Sequence, residues 1–277
     1  GLSQDGGLYT IEPIHDHIDL SSILHKSYQE TAELILSTLF DDFRKEDIRK
    51  CVENAYDSKF DTEEIVPLKK IKDGWLMELW HGPTCAFKDI ALTILPHLLK
   101  TSCRMENKKE IISILTATSG DTGKAALEGF KDVPGTAITV FYPEVGVSSI
   151  QKKQMTTTEG KNVEVIAVKG NFDDCQRMVK QATQDPEVLS SLDGVSISSA
   201  NSINIGRLLP QIVYYFTSYA KLVNESEITC GDQVNFVVPT GNFGDILAGY
   251  YAKKLGLPVK HLICASNTNN VLTDFLN

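Results

Sequence analysis

Nothing in the sequence is apolar for long enough to cross a bilayer: runs such as 111–115 and 236–239 fall far short of the roughly 20 residues a spanning helix needs. Paired cysteines are missing as well. Cys51, Cys85, Cys103, Cys175, Cys230 and Cys264 stand singly, with no C-x-x-C spacing for zinc or redox work, in a chain too long to need disulfide staples. Reduced thiols in a cytoplasm fit this usage. Basic charge is also in deficit, since 27 Lys and Arg against 36 Asp and Glu give a net charge of -9, the wrong sign for a surface that binds nucleic acid. Any anionic ligand must therefore be held by local groups. The opening Gly-Leu-Ser-Gln-Asp-Gly-Gly lacks an initiator Met and the basic and apolar regions of a signal peptide. The closing Val-Leu-Thr-Asp-Phe-Leu-Asn reads as a helix that opens after a strand, so both termini read as trimmed.

What is present suits a globular protein: 277 residues with 42% apolar content can bury a substantial core. Between residues 21 and 56 apolar side chains such as Leu34, Ile35 and Leu39 recur at helical spacing, which predicts a small helical N-terminal region. Beyond Ile65 the pattern turns to short β-branched runs, each followed by a turn and a longer helical period. Strands are predicted at 75–79, 111–115, 137–142, 163–168, 234–238 and 261–265, with helices opening near Lys88, Thr122, Ser149, Asp173, Ile205 and Asp245. This alternation predicts an α/β fold of parallel sheets with flanking helices. The stripe Ile205, Leu208, Leu209, Ile212, Val213, Phe216 and Tyr219 is read as packing.

Ligands of open parallel sheets sit beyond the carboxyl ends of strands, where turns feed helix N-termini, and three turns here carry unusual chemistry. The first is His81-Gly82-Pro83-Thr84-Cys85-Ala86-Phe87-Lys88-Asp89. A lysine at a helix start is electrostatically misplaced and its amine is pushed towards the neutral, nucleophilic form, unless it is simply an exposed surface lysine. The second is Thr116-Ala117-Thr118-Ser119-Gly120-Asp121-Thr122-Gly123-Lys124, whose hydroxyls and backbone N–H groups suit a phosphate or carboxylate, or else an ordinary capped helix start. A Walker A reading fails, because Thr118 stands in place of the first Gly and Ala125 in place of the Ser/Thr that binds magnesium. The third is Pro239-Thr240-Gly241-Asn242-Phe243-Gly244-Asp245, in which two glycines let backbone approach an anion, although a tight strand-to-helix turn uses similar residues.

Taken in order, the segments His81 to Asp89, Thr118-Ser-Gly-Asp-Thr-Gly123, Gln154-Met-Thr-Thr157, Asn201-Ser-Ile-Asn204 and Pro239 to Gly249 resemble successive motifs of the threonine synthase family. The likeness runs from about Asp5 to the last residue. It implies the pyridoxal 5'-phosphate (PLP) fold of the tryptophan synthase β subunit and conversion of O-phosphohomoserine and water to threonine and phosphate. Lys88 would then be catalytic, forming the Schiff base with PLP and carrying protons afterwards. Gly241, Asn242, Phe243, Gly244 and Asp245 would hold the cofactor phosphate, chiefly through backbone N–H groups. Ser119, Asp121 and Thr122 would hold substrate groups, although Asp121 stands where related enzymes place Asn, and a carboxylate there needs a proton or a partner.

The resemblance also implies a division into an N-terminal helical region at 1–70, a large PLP-binding domain from 71–110 and 200–277, and a smaller substrate-closing domain at 111–199. By analogy with the fold, a homodimer is expected. The family continues beyond the point where this chain stops. Arg207 either faces the substrate phosphate or closes a surface salt bridge, and His81 either touches the site or packs against the sheet. His15-Asp16-His17 is read as a solvated turn and no metal is expected. The rival readings are a serine or threonine dehydratase-like lyase of the same fold, and a PLP-binding relative or fragment without turnover.

Overall fold

The computed structural model describes residues 3, 7–11, 14, 16–118 and 120–276, with the side chains of 272 and 276 excepted. Two helices open it, α1 (Tyr28–Leu39) and α2 (Lys45–Ala55). Ser27 and Glu30 start α1 with a reciprocal capping box, and Ile35 and Leu36 turn its apolar face inward. Next come strands β1 (Leu68–Ile71) and β2 (Gly74–Met77) and helices α3 (Asp89–Leu92) and α4 (Leu95–Met105). The alternating part runs β3 (Ile111–Ala117), α5 (Asp121–Phe130), β4 (Thr136–Pro143), α6 (Ser149–Thr156), β5 (Val163–Val168), α7 (Phe172–Ala182), α8 (Pro186–Ser191) and β6 (Val195–Ser198). The chain then continues through α9 (Ile205–Leu208), α10 (Ile212–Asn224), β7 (Val234–Pro239), α11 (Gly244–Lys254), β8 (Val259–Ala265) and α12 (Val271–Leu276).

Strands β5, β4, β3 and β6 pair in that order, all parallel, with Ile114 opposite Ile138 and Ile112 opposite Ser196. Strands β7 and β8 form a second parallel pair. Both follow the predicted alternation, because each strand is tied to the next by a helix that lies back on the sheet. The predicted strand at 75–79 needs a correction: β2 pairs antiparallel with β1 in a separate hairpin and joins no parallel sheet. The turn between them is Lys72-Asp73, and β1 passes unnoticed in the sequence because Lys69 and Lys70 occupy half of it. Strand β6, Val-Ser-Ile-Ser, is half polar and escapes for the same reason.

The apolar side chains gather into two large cores. One joins Ile35, Leu36 and Ile48 of the N-terminal helices to Ile212, Val213 and Phe216 of α10 and to Ala248 and Ala252 of α11. The other packs Ile112, Ile114, Ile138 and Val140 of the sheet against Ala126, Leu127 and Phe130 of α5. The α3–α4 segment belongs to both, sending Ile90, Ile94 and Leu98 into the first core and Leu92 and Leu95 into the second. Among the described residues no helix is long and apolar enough to cross a membrane.

Candidate functional site

The Lys88 turn is built on a buried carboxylate. Asp89, 1% exposed, accepts hydrogen bonds from Thr84 N–H at 2.8 Å and Thr84 Oγ1 at 2.6 Å, which folds residues 82–87 back over the start of α3. Burial pushes the Asp89 carboxyl up, against the pull of those donors. Gly82 is required here because a Cβ would stand 2.5 Å from Asp89 Cβ. Lys88 occupies the N-cap of α3, and its Nζ lies 3.5 Å from Asp121 Oδ2 and 4.9 Å from the centre of the Phe87 ring. The sequence pointed to the helix terminus as the field acting on Lys88. Since α3 has only four residues, its dipole is small, and the nearest charge is Asp121.

Asp121 opens α5 and is half exposed, at 53%. The partner its carboxylate needs is Gln151 of α6, whose Nε2 donates to Asp121 Oδ1 at 2.8 Å. Nothing in the sequence marks Gln151 for this, because it lies thirty residues downstream in a different helix. The turn before α5 departs from the expected open cradle. Thr118 Oγ1 already accepts from the N–H groups of Gly120 and Gly123, both at 3.1 Å, so those donors are used within the turn. Gly123 packs so tightly that a Cβ would come within 2.6 Å of both Thr118 and Met155 side chains. Thr122 is partly buried, and no hydrogen bond occupies its N–H among the described residues. Ser119 lies outside the described residues, as does His15. Lys124 is engaged by Glu128 at 2.5 Å and Thr158 at 2.9 Å. A cavity of about 320 Å³ opens here, lined by Thr84, Cys85, Phe87, Asp121 and Gln154 among others.

The third turn joins β7 to α11. Thr240 ties it to β8 by donating from N–H and Oγ1 to Ala265 O, at 2.9 and 3.0 Å. Gly241 takes φ +46° and Phe243 φ +64°, a left-handed conformation uncommon for a large aromatic residue. Phe243 is the N-cap of α11 and supplies no side-chain cap. The N–H groups of Gly244, Asp245 and Ile246 therefore have no partner among the described residues. A Cβ built on Gly241 or Gly244 meets nothing within 4 Å, so the space in front of these amides is open. Free donors, a helix terminus and an open approach fit the phosphate of PLP. The Asp245 side chain itself points inward, to the hydroxyls of Tyr214 and Tyr215. Only its N–H remains for an anion.

Asn201 and Asn204 shape the turn before α9. Asn201 Nδ2 donates to Ala117 O at the end of β3, and Asn204 Oδ1 accepts from Gly206 N–H at 2.9 Å. Arg207 is 4% exposed and donates from Nη1 to Ala200 O at 2.6 Å, with Nε unpartnered. The surface salt bridge is thereby ruled out, since Arg207 is buried and no carboxylate pairs with it among the described residues. Burial lowers its pKa to about 10, so it remains a cation at neutral pH. His81 is braced between Asp61 at 2.5 Å and Glu78 at 2.9 Å. No hydrogen bond or ion pair joins Lys88 to the 241–245 turn or to Arg207 among the described residues.

Residues 64–276 match the family described as Pyridoxal-phosphate dependent enzyme, so the chain belongs to that family and PLP is its cofactor. Residues 1–56 match the family described as Threonine synthase N terminus, and relatives of the chain are named threonine synthase or threonine synthase-like 1. Threonine synthase of Schizosaccharomyces pombe is 40% identical over 286 residues, which cover 99% of this chain and 54% of that protein. Human threonine synthase-like 1 is 39% identical over the whole chain, which corresponds to 39% of its length. A PLP-bound threonine synthase from Brucella melitensis matches the structure with a TM-score of 0.88 at 38% identity, covering all of this chain and 58% of that one. The chain spans between 38% and 58% of the length of these curated relatives.

Proposed function

We propose that this protein converts O-phosphohomoserine and water to threonine and phosphate, with Lys88 as the amine that carries PLP. The observation behind this reading is the placement of Lys88 Nζ beside the mouth of α5, 3.5 Å from a carboxylate that Gln151 holds in place. When bound, PLP supplies an electron sink for carbanion chemistry at the substrate. Lys88 Nζ holds the cofactor aldehyde and afterwards moves the proton at the substrate's α carbon. The amides of Gly244, Asp245 and Ile246, with the turn Gly241, Asn242 and Phe243, hold the cofactor phosphate. Asp121 keeps Nζ at the mouth of α5, Thr122 offers its N–H and hydroxyl to the substrate together with Ser119, and Arg207 adds a buried positive charge on the substrate-phosphate side. In this reading residues 111–199 form the smaller unit that closes over the substrate, and the enzyme is a cytoplasmic homodimer.

One observation favours a second reading. Thr118 consumes the Gly120 and Gly123 amides, which leaves less of a cradle for a second phosphate and suits a serine or threonine dehydratase. Incubation with PLP and either O-phosphohomoserine or threonine separates the two. Phosphate release from the first, with little deamination of the second, is expected. Equal or better deamination of threonine would establish the dehydratase. Borohydride reduction should fix the cofactor to Lys88, and a label on another lysine would overturn that assignment.

A further inference from the structure

Tyr214 and Tyr215 lie in α10 outside the apolar stripe read from the sequence, yet both are 1% exposed. Successive residues of a helix diverge by about 100°, so two neighbours rarely serve one partner. These two converge. The Tyr214 hydroxyl donates to Asp245 Oδ1 at 2.5 Å, and the Tyr215 hydroxyl stands 2.9 Å from both Asp245 Oδ1 and Asp245 O. Their rings lie 5.0 Å apart, and that of Tyr215 is wedged edge-on against Phe236 of β7 and beside Gly249 of α11, where a Cβ would come within 2.9 Å. Gln211 backs the arrangement, its Nε2 donating to Arg207 O at 2.6 Å and its Oε1 lying 3.2 Å from the Tyr214 hydroxyl.

Asp245 is the second residue of α11. A carboxylate in the first turn is attracted to the positive end of its own helix, where it would repel any other anion. Here it is drawn into the core instead, so it neither fills nor screens the Gly244, Asp245 and Ile246 amides that Phe243 leaves uncapped. We propose that Tyr214 and Tyr215 are positioning residues for phosphate binding: by holding the Asp245 carboxylate inward they keep the α11 amides open and their field positive. The proposal rests on the reading that the cofactor phosphate sits at residues 241–245. Burial raises the Asp245 carboxyl, and the two phenols counter that by stabilising its charge away from the ligand.

The test replaces the hydroxyls alone, in Tyr214→Phe with Tyr215→Phe, which keeps the rings in the core. Dissociation constants are measured for PLP, for pyridoxal without its phosphate, and for inorganic phosphate, with the melting temperature alongside. Loss of charge-assisted contacts at the phosphate should weaken PLP and inorganic phosphate about tenfold or more while pyridoxal changes less than about twofold. Adding Asp245→Asn, which removes the released charge, should restore much of the loss. A fall in melting temperature with equal weakening of PLP and pyridoxal would reduce the tyrosines to packing and overturn the proposal. Should the double variant fail to fold, Tyr214→Phe alone carries the same comparison. Gly244→Val distinguishes the two levels: if it leaves PLP affinity unchanged, the phosphate site itself is misplaced. If it weakens PLP while the phenylalanine variants do not, only the role of the tyrosines fails.

Discussion

A Cβ at Gly244 would project into open space, whereas one at Gly123 would meet Thr118, Met155 and Val140 within 3.0 Å. In the proposed function Gly244 serves a ligand, whereas Gly123 serves packing. Gly244→Val should fold with little change in melting temperature and lose at least about tenfold in PLP affinity, because several charge-assisted hydrogen bonds of roughly 1.5–3 kcal/mol each are blocked. Isothermal titration of the variant checks this, and an unchanged affinity would put the phosphate elsewhere. At this scale the sequence was legible where chemistry is written into a local string. Lys88 before Asp89, and Gly241 and Gly244 around an aromatic residue, announce themselves within a few positions. Gln151, Tyr214 and Tyr215 do not, since their roles exist only after α6 and α10 have packed against α5 and α11.

Helices α3 and α5 meet at Gly129, where an added Cβ would stand 2.1 Å from the carbonyl oxygen of Leu92. That carbonyl ends the helix that Lys88 begins, so the backbone of α5 sets the distance between Lys88 and Asp121. Gly129→Ala must push the helices apart or distort α3. Overpacking of this kind should cost roughly 1–3 kcal/mol of stability, visible in urea unfolding, and it should slow attachment of PLP to Lys88. A variant as stable as the parent would show that the contact yields easily. The elements themselves were readable from periodicity where they are long and regular: β3, β4, β5, β7 and β8 lie where the β-branched runs predict them. The hairpin of β1 and β2 was misassigned because a short strand carrying Lys69 and Lys70 has no apolar alternation to betray its partner.

Protonation acts on the molecule as a whole, through partly buried histidines. Burial lowers His97 of α4 to about 4, with Lys59 and Lys100 adding to the effect. The folded state thus binds less proton than the unfolded one between about 6.5 and 4, and stability falls as pH drops through that window. His81 works in the opposite sense. Burial tends to lower it, but its hydrogen bonds with Glu78 and Asp61 prevail and raise it, so its contribution is complete below about 6.5 and fades as pH rises through the folded value. Comparing the parent with His97→Gln removes one group from the balance. Between pH 6.5 and 5 the parent should lose stability more steeply, by at most about 1.4 kcal/mol per pH unit for one proton and less for a side chain that keeps some contact with water. Parallel curves would mean that His97 is free to protonate in the folded state.

Because α3 and α4 send alternate side chains into both cores, the lysine at their head behaves like the end of an axle mounted in two bearings. A substitution that loosens either core should therefore be felt at Nζ and at its 3.5 Å gap to Asp121. In the proposed function the amine that carries PLP inherits its position from two hydrophobic bearings at once.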